Sequence, residues 1–125
     1  MKTPTLYKVL DAVTATTTSD PVNIENAEKI TLQFIRANHS AGSSAFAVTV
    51  SLDGTNYVTY NKLIDNVTNT NAQTLTRVAG ATLSSNTSKV YTMDMVSDHY
   101  RWMKVTVTET TDGTHSALAL VDYNY

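Results

Sequence analysis

The 125-residue chain is close to the commonest size of a single domain, and its 42% hydrophobic content and mean hydropathy of −0.19 supply one core and exclude a disordered polymer. Net charge is −2 with nine Lys and Arg spread singly, so no basic stripe can neutralise several phosphates at once and nucleic acid is disfavoured as a partner. No apolar run approaches the ~20 residues of a membrane span, and the absence of Cys excludes disulfide staples, thiolate metal ligands and Cys nucleophiles.

Charged residues make up only 16% of the chain, and Thr, Ser and Asn fill the deficit. Threonine suits a pleated surface, and Ser and Asn suit turns. Met1-Lys2-Thr3-Pro4-Thr5 lacks the apolar stretch of a signal peptide, so the product is expected to be made in a cytoplasm.

Residues 6–16 form a long extended run, and residues 22–24 a short one. The best helical candidate, residues 22–35, carries Asn23, Asn26 and β-branched residues, and its apolar positions alternate instead. Ile30, Leu32 and Phe34 share one face against Lys29, Thr31 and Gln33, the mark of a half-buried strand. Residues 38–44 are a polar loop, after which Phe46, Val48, Val50 and Leu52 repeat the alternation. Asp53-Gly54 then predicts a hairpin into residues 55–60, because Gly supplies positive φ freely.

Residues 61–74 read as a long polar loop broken only by Leu63, Ile64 and Val67, and such loops are usually functional or ordered by a partner. Residues 75–83 form a weaker strand with Gly80 as a bulge, and residues 90–95 another. Met103, Val105 and Val107 alternate with Lys104, Thr106 and Thr108. Asp112-Gly113 predicts a second hairpin into residues 117–123, where Leu118 and Leu120 oppose Ala119 and Val121. Eight or nine short strands with turns every ~8–12 residues predict an all-β antiparallel sandwich, jelly-roll-like, in one domain, with residues 1–20 as a possible extended N-terminal arm.

Chemistry is sparse. His39, His99 and His115 fall in loops or strand starts and read as surface turn residues, although a hairpin could bring Asp112 beside His115 to hold an ion. No Gly-x-Ser-x-Gly elbow or phosphate loop occurs, and the aspartates sit mainly in turns. We therefore assign no catalytic, cofactor-binding or metal residue, and expect a binding protein rather than an enzyme. Trp102, the single tryptophan, shares parity with Lys104 and Thr106. Either a bulge returns it to the core, or it is an exposed aromatic anchor at an interface or sugar platform. Tyr123 and Tyr125 suggest a terminal segment that packs on something.

The run from Phe46-Ala47-Val48-Thr49-Val50-Ser51-Leu52 through Asp53-Gly54-Thr55-Asn56-Tyr57 resembles a strand–hairpin signature of small sandwiches in tailed-bacteriophage virions. The Thr/Ser/Asn-rich, cysteine-free composition is similar to that of phage capsid decoration (cement) proteins. The resemblance is one of style over most of the chain, and only the hairpin matches at motif level. It implies a jelly roll that stabilises a capsid shell, with the major capsid protein or other virion subunits as partners. It also implies a homo-oligomer, preferably a trimer, located on the capsid surface, with no cofactor, no membrane and no nucleic acid. The candidate contact residues are Leu6, Tyr7, Leu63, Ile64, Val67, Trp102, Tyr123 and Tyr125. Two other readings remain: a tail- or fibre-associated module, and a carbohydrate-binding domain using Trp102, Tyr57 or Tyr60.

Overall fold

The computed structural model describes residues 3–65, 77–93 and 99–123, and all of its regular structure is β. The strands are β1 (Thr5–Val13), β2 (Thr17–Thr18), β3 (Val22–Asn23), β4 (Ala27–Ala37), β5 (Gly42–Ser51) and β6 (Val58–Thr59). They continue with β7 (Leu63–Ile64), β8 (Arg77–Val78), β9 (Gly80–Leu83), β10 (Thr87–Met93), β11 (Trp102–Thr111) and β12 (Thr114–Tyr123). Two antiparallel sheets result. The first runs β1-β12-β4-β10-β7-β8; the second runs β2-β11-β5-β6, with β3 also on β11 and β9 also on β5.

Taking β2 and β3 as one interrupted strand, β6 and β9 as two segments along β5, and β7 and β8 as a short extension beyond β10, leaves eight positions in the sandwich. Their order, β1-β12-β4-β10 over β2/β3-β11-β5-β6/β9, is that of a jelly roll. The expected fold is therefore present. The chain reaches it by changing sheets at the ends of its long strands, which sets aside one sequence expectation. Asp112-Gly113 joins β11, which pairs with β5, to β12, which pairs with β4. It is a corner between sheets and not a hairpin. Residues 38–41 make a second such corner, between β4 and β5, which lie in different sheets. Asp53-Gly54 does lie in a hairpin, since β5 and β6 pair through Thr49↔Thr59 and Val50↔Val58, but its loop spans residues 52–57.

The core follows the alternation. Ile30, Leu32 and Phe34 from β4 meet Phe46, Val48 and Val50 from β5 and Met103, Val105 and Val107 from β11, each at most 2% exposed. Phe34 and Phe46 stack across the two sheets with centroids 4.8 Å apart. On β12 the small residues point inward: Ala117, opposite Phe34, and Ala119, opposite Leu32, are fully buried. Leu63 and Ile64, expected in a contact loop, form β7 and are buried beside β10. Their apolar side chains close one margin of the core, which is why they interrupt an otherwise polar stretch.

The sheet edges are blunted in the ways that discourage open-ended strand pairing. β1 carries two register irregularities along β12, and the β2/β3 edge breaks at residues 19–21, with Pro21 preceding β3. Ser19 repairs that break. Its N–H donates to Val105 O at 2.8 Å, and its Oγ accepts the Val105 N–H at 2.9 Å, as a ladder carbonyl would. Ser19→Ala leaves the Val105 N–H buried without an acceptor and is expected to cost about 1–3 kcal/mol. Urea unfolding checks this.

Candidate interaction surfaces

The outward face of the sheet that contains β1, β12, β4 and β10 is built by parity. Because Ala117, Ala119 and Val121 face the core, Leu118 and Leu120 face out. In register, Leu6 lies opposite Leu120 and Leu120 opposite Thr31, while Leu118 lies opposite Gln33 and Gln33 opposite Val90. These six side chains line one shallow apolar groove. Leu6 is 56% exposed and Leu120 41%. The nearest charges, Lys8 opposite Leu118 and Asp122 opposite Lys29, stand at its rim. A strand that buries alanines and displays leucines places its apolar bulk on the water side, where isolated leucines are ordinary but a group is informative.

Tyr7 and Tyr123 meet at one end of the sandwich. Their hydroxyl oxygens are 2.7 Å apart, and the Tyr123 hydroxyl donates to Asn23 O at 2.6 Å. Asn23 is in turn the register partner of Trp102. Of the eight candidate contact residues, Tyr7, Trp102 and Tyr123 are thus brought to one end, linked through Asn23, and Leu6 lies on the outer face beside them. Leu63 and Ile64 are core. Val67 and Tyr125 lie outside the described residues.

Trp102 keeps the parity of Lys104 and Thr106, so no bulge returns it to the core. It is half-buried all the same. A Cβ added at Gly54 would stand 3.1 Å from Trp102 Nε1, so the loop after β5 covers the indole, and Gly54 with φ of 77° permits that approach. Lys104 Nζ sits 4.3 Å from the centre of the Tyr57 ring on the same outer face. Tyr60, considered as a sugar platform, is 2% exposed and packs edge-on against Tyr100. It belongs to the core.

The opposite end holds a buried polar cluster. Arg36 continues the inward parity of Ile30, Leu32 and Phe34, and its guanidinium donates to four carbonyls. Nη1 reaches Gly42 O at 2.7 Å and Leu83 O at 3.2 Å, and Nη2 reaches Ala41 O at 2.7 Å and Asp112 O at 3.0 Å. One side chain thereby ties both inter-sheet corners to β9. Beside it His115, expected as a surface turn residue, is fully buried, because it continues the inward parity of Ala117 and Ala119. Its Nδ1 lies 2.6 Å from Ser44 Oγ and its Nε2 3.2 Å from Glu109 Oε1. The trio has the composition of a hydrolase relay, but Ser44 is fully buried and no external carbonyl can reach its Oγ.

Asp112 does not turn to His115. Its carboxylate accepts from the Ser40 hydroxyl and from the amides of Ser40 and Ala41, and lies 4.0 Å from Arg36 Nη2. The Ser40 hydroxyl first, then the two amides, hold its carboxyl down to about 2. Since the folded value lies below the ordinary carboxylate value, the corner is stabilised above about pH 4 and loses that stabilisation as pH falls through about 2. Asp112→Asn is expected to flatten this part of the acid-unfolding profile, which pH titration of the unfolding midpoint checks. Asp53 is held low in the same way, chiefly by the Asn56 and Thr55 amides. Both are turn carboxylates. Among the described residues no cluster of three or more His, Cys, Asp or Glu is placed to hold a metal ion, and no helix is long and apolar enough to cross a membrane.

With this geometry in place, one solved structure aligns end to end. The SPBc2 prophage-derived protein YomS superposes with a TM-score of 0.64 at 12% identity, over 98% of this chain and 97% of that one. The two share a fold. A structure of infectious bursal disease virus Gx strain aligns at TM-score 0.46 and 12% identity, over 99% of this chain and 35% of that one, too loosely to carry an argument. No protein-family model matches the sequence. No curated protein matches it either.

Proposed function

We propose that the chain is a structural component of a phage particle, most specifically a capsid decoration protein that seats on the major capsid protein and works without catalysis. The observation that carries the reading is the inverted β12, which buries Ala117 and Ala119 and presents Leu118 and Leu120 beside Leu6 and Val90. An uncharged, weakly concave face with its charges at the rim is suited to protein–protein contact. The blunted edges favour contact through faces over strand addition. A fold shared along its whole length with a prophage-derived protein agrees with a phage origin, as do the cysteine-free composition and the resemblance of the strand–loop 46–57. A homo-oligomer, preferably a trimer, completes the proposal and would present several copies of the leucine face to the shell.

The test is cosedimentation of the purified chain with shells that lack it. Wild-type chain is expected to pellet with the shells. Leu6→Lys with Leu120→Lys, both at exposed positions, should weaken binding at least tenfold, since each places an ammonium in a desolvating contact. The unfolding midpoint of the variant should remain near wild type. Unchanged pelleting would remove this face from the interface.

A further inference from the structure

The tyrosine end carries a second surface of a different character from the leucine face. Thr5, Tyr7, Asn23, Glu25, Asn26 and Tyr123 line an open, mainly polar cleft of about 290 Å³, at the lower limit of small-molecule sites (about 300–1,000 Å³). Its walls come from the start of β1, the end of β12 and the turn between β3 and β4, so the fold assembles it from three distant stretches of chain.

Its hydrogen-bonding capacity is only partly used. The Tyr123 hydroxyl gives its proton to Asn23 O. It therefore accepts from Tyr7, and the Tyr7 oxygen keeps acceptor capacity at the cleft. Asn23 Oδ1 accepts the Glu25 N–H at 3.0 Å, and its amide NH2 has no partner among the described residues. Glu25 engages Arg101 Nε through Oε1 at 3.4 Å, leaving its second oxygen as an acceptor. Asn26 stands at the lip with φ of 73°, a backbone state that Asn and Gly tolerate, and its amide is uncommitted among the described residues. The cleft thus carries both donors and acceptors beside two phenol rings.

Charge selects the ligand class. Among the described residues lining the cleft there is one carboxylate, and the guanidinium of Arg101 is already paired with it, so a phosphate or carboxylate ligand would meet Glu25 without a spare cation from those residues. A ligand with adjacent hydroxyls and an apolar C–H face satisfies both the amide–carboxylate set and the rings. The geometry points to an uncharged saccharide, bound one sugar unit deep, at the Tyr7–Tyr123 cleft.

Saturation-transfer NMR and shift titration of the full chain with glucose, galactose and N-acetylglucosamine test this. At least one of the three sugars is expected to receive saturation from tyrosine protons and to titrate in the millimolar range. Tyr7→Phe with Asn26→Gly keeps the ring and the backbone state but removes two polar groups, and should weaken that titration about tenfold. If that double variant unfolds, Glu25→Gln at an exposed position should weaken it severalfold. Absence of transfer to all three sugars, or unchanged affinity in a folded variant, overturns the inference. The assay uses the isolated chain, so it stands apart from the particle reading: a sugar-binding chain absent from particles would keep this site and lose the virion role.

Discussion

Replacing Arg36 with Met is expected to cost about 3–5 kcal/mol, a large fraction of the ~5–15 kcal/mol that holds an ordinary domain, or to prevent folding altogether. The methionine fills similar volume, so the loss is not one of packing. It leaves the carbonyls of Ala41, Gly42, Leu83 and Asp112 without the donors that now satisfy them inside the sandwich. Those carbonyls belong to both corners and to β9, so the damage should appear as loss of sheet-to-sheet registration rather than as fraying of one strand. Arg36→Lys keeps the charge but offers a point donor in place of a planar fork, and should recover only part of the loss. Urea unfolding followed by Trp102 fluorescence measures both variants. A methionine variant as stable as wild type would show that the guanidinium does not hold the corners.

Phe46→Ala is expected to cost about 3–5 kcal/mol, the range for emptying a buried aromatic site. Phe46 lies at 2% exposure and stacks on Phe34 from the facing sheet, which also contacts Tyr91 at 5.7 Å. The cavity left by Phe46 cannot collapse readily, because its neighbours are held by ladders in both sheets. A double-mutant cycle with Phe34→Ala should show a coupling of about 0.5–1.5 kcal/mol beyond burial, the value of an aromatic pair. Additive losses would mean that the rings act as independent fillers.

The strands of the sandwich were legible where one face is buried and the other wet. β4, β5 and β11 alternate strictly, so period and parity both follow from the residues. Which face is inner was not legible on β12. Hydrophobicity alone turns leucines inward, but the inward positions are held by Ala117 opposite Phe34, Ala119 opposite Leu32 and Val121 opposite Ile30, all fully buried. The leucine face could be found only once that register was in place. Asp112-Gly113 misled for a different reason. A glycine at positive φ serves a hairpin and a sheet-to-sheet corner equally, and the choice depends on distant pairing with β4 and β5. Arg36 and His115 did leave a signal, because each extends the buried parity of its own strand. It went unread because a buried guanidinium needs acceptors, and these come from residues 41, 42, 83 and 112. For Trp102 parity alone leaves open a return to the core through a bulge. Its register with Asn23 and Ser51 excludes that return, and its cover, the loop around Gly54, depends on how the 52–57 loop folds back.

The most direct test of the account is the protein content of purified particles. Particles released from a culture whose phage or prophage encodes this chain are banded by density and analysed by mass spectrometry and immunogold labelling. The account predicts the chain in the particle band, many copies per shell, with gold on the capsid surface. A chain found only in the soluble fraction, with particles that lack it, would contradict it.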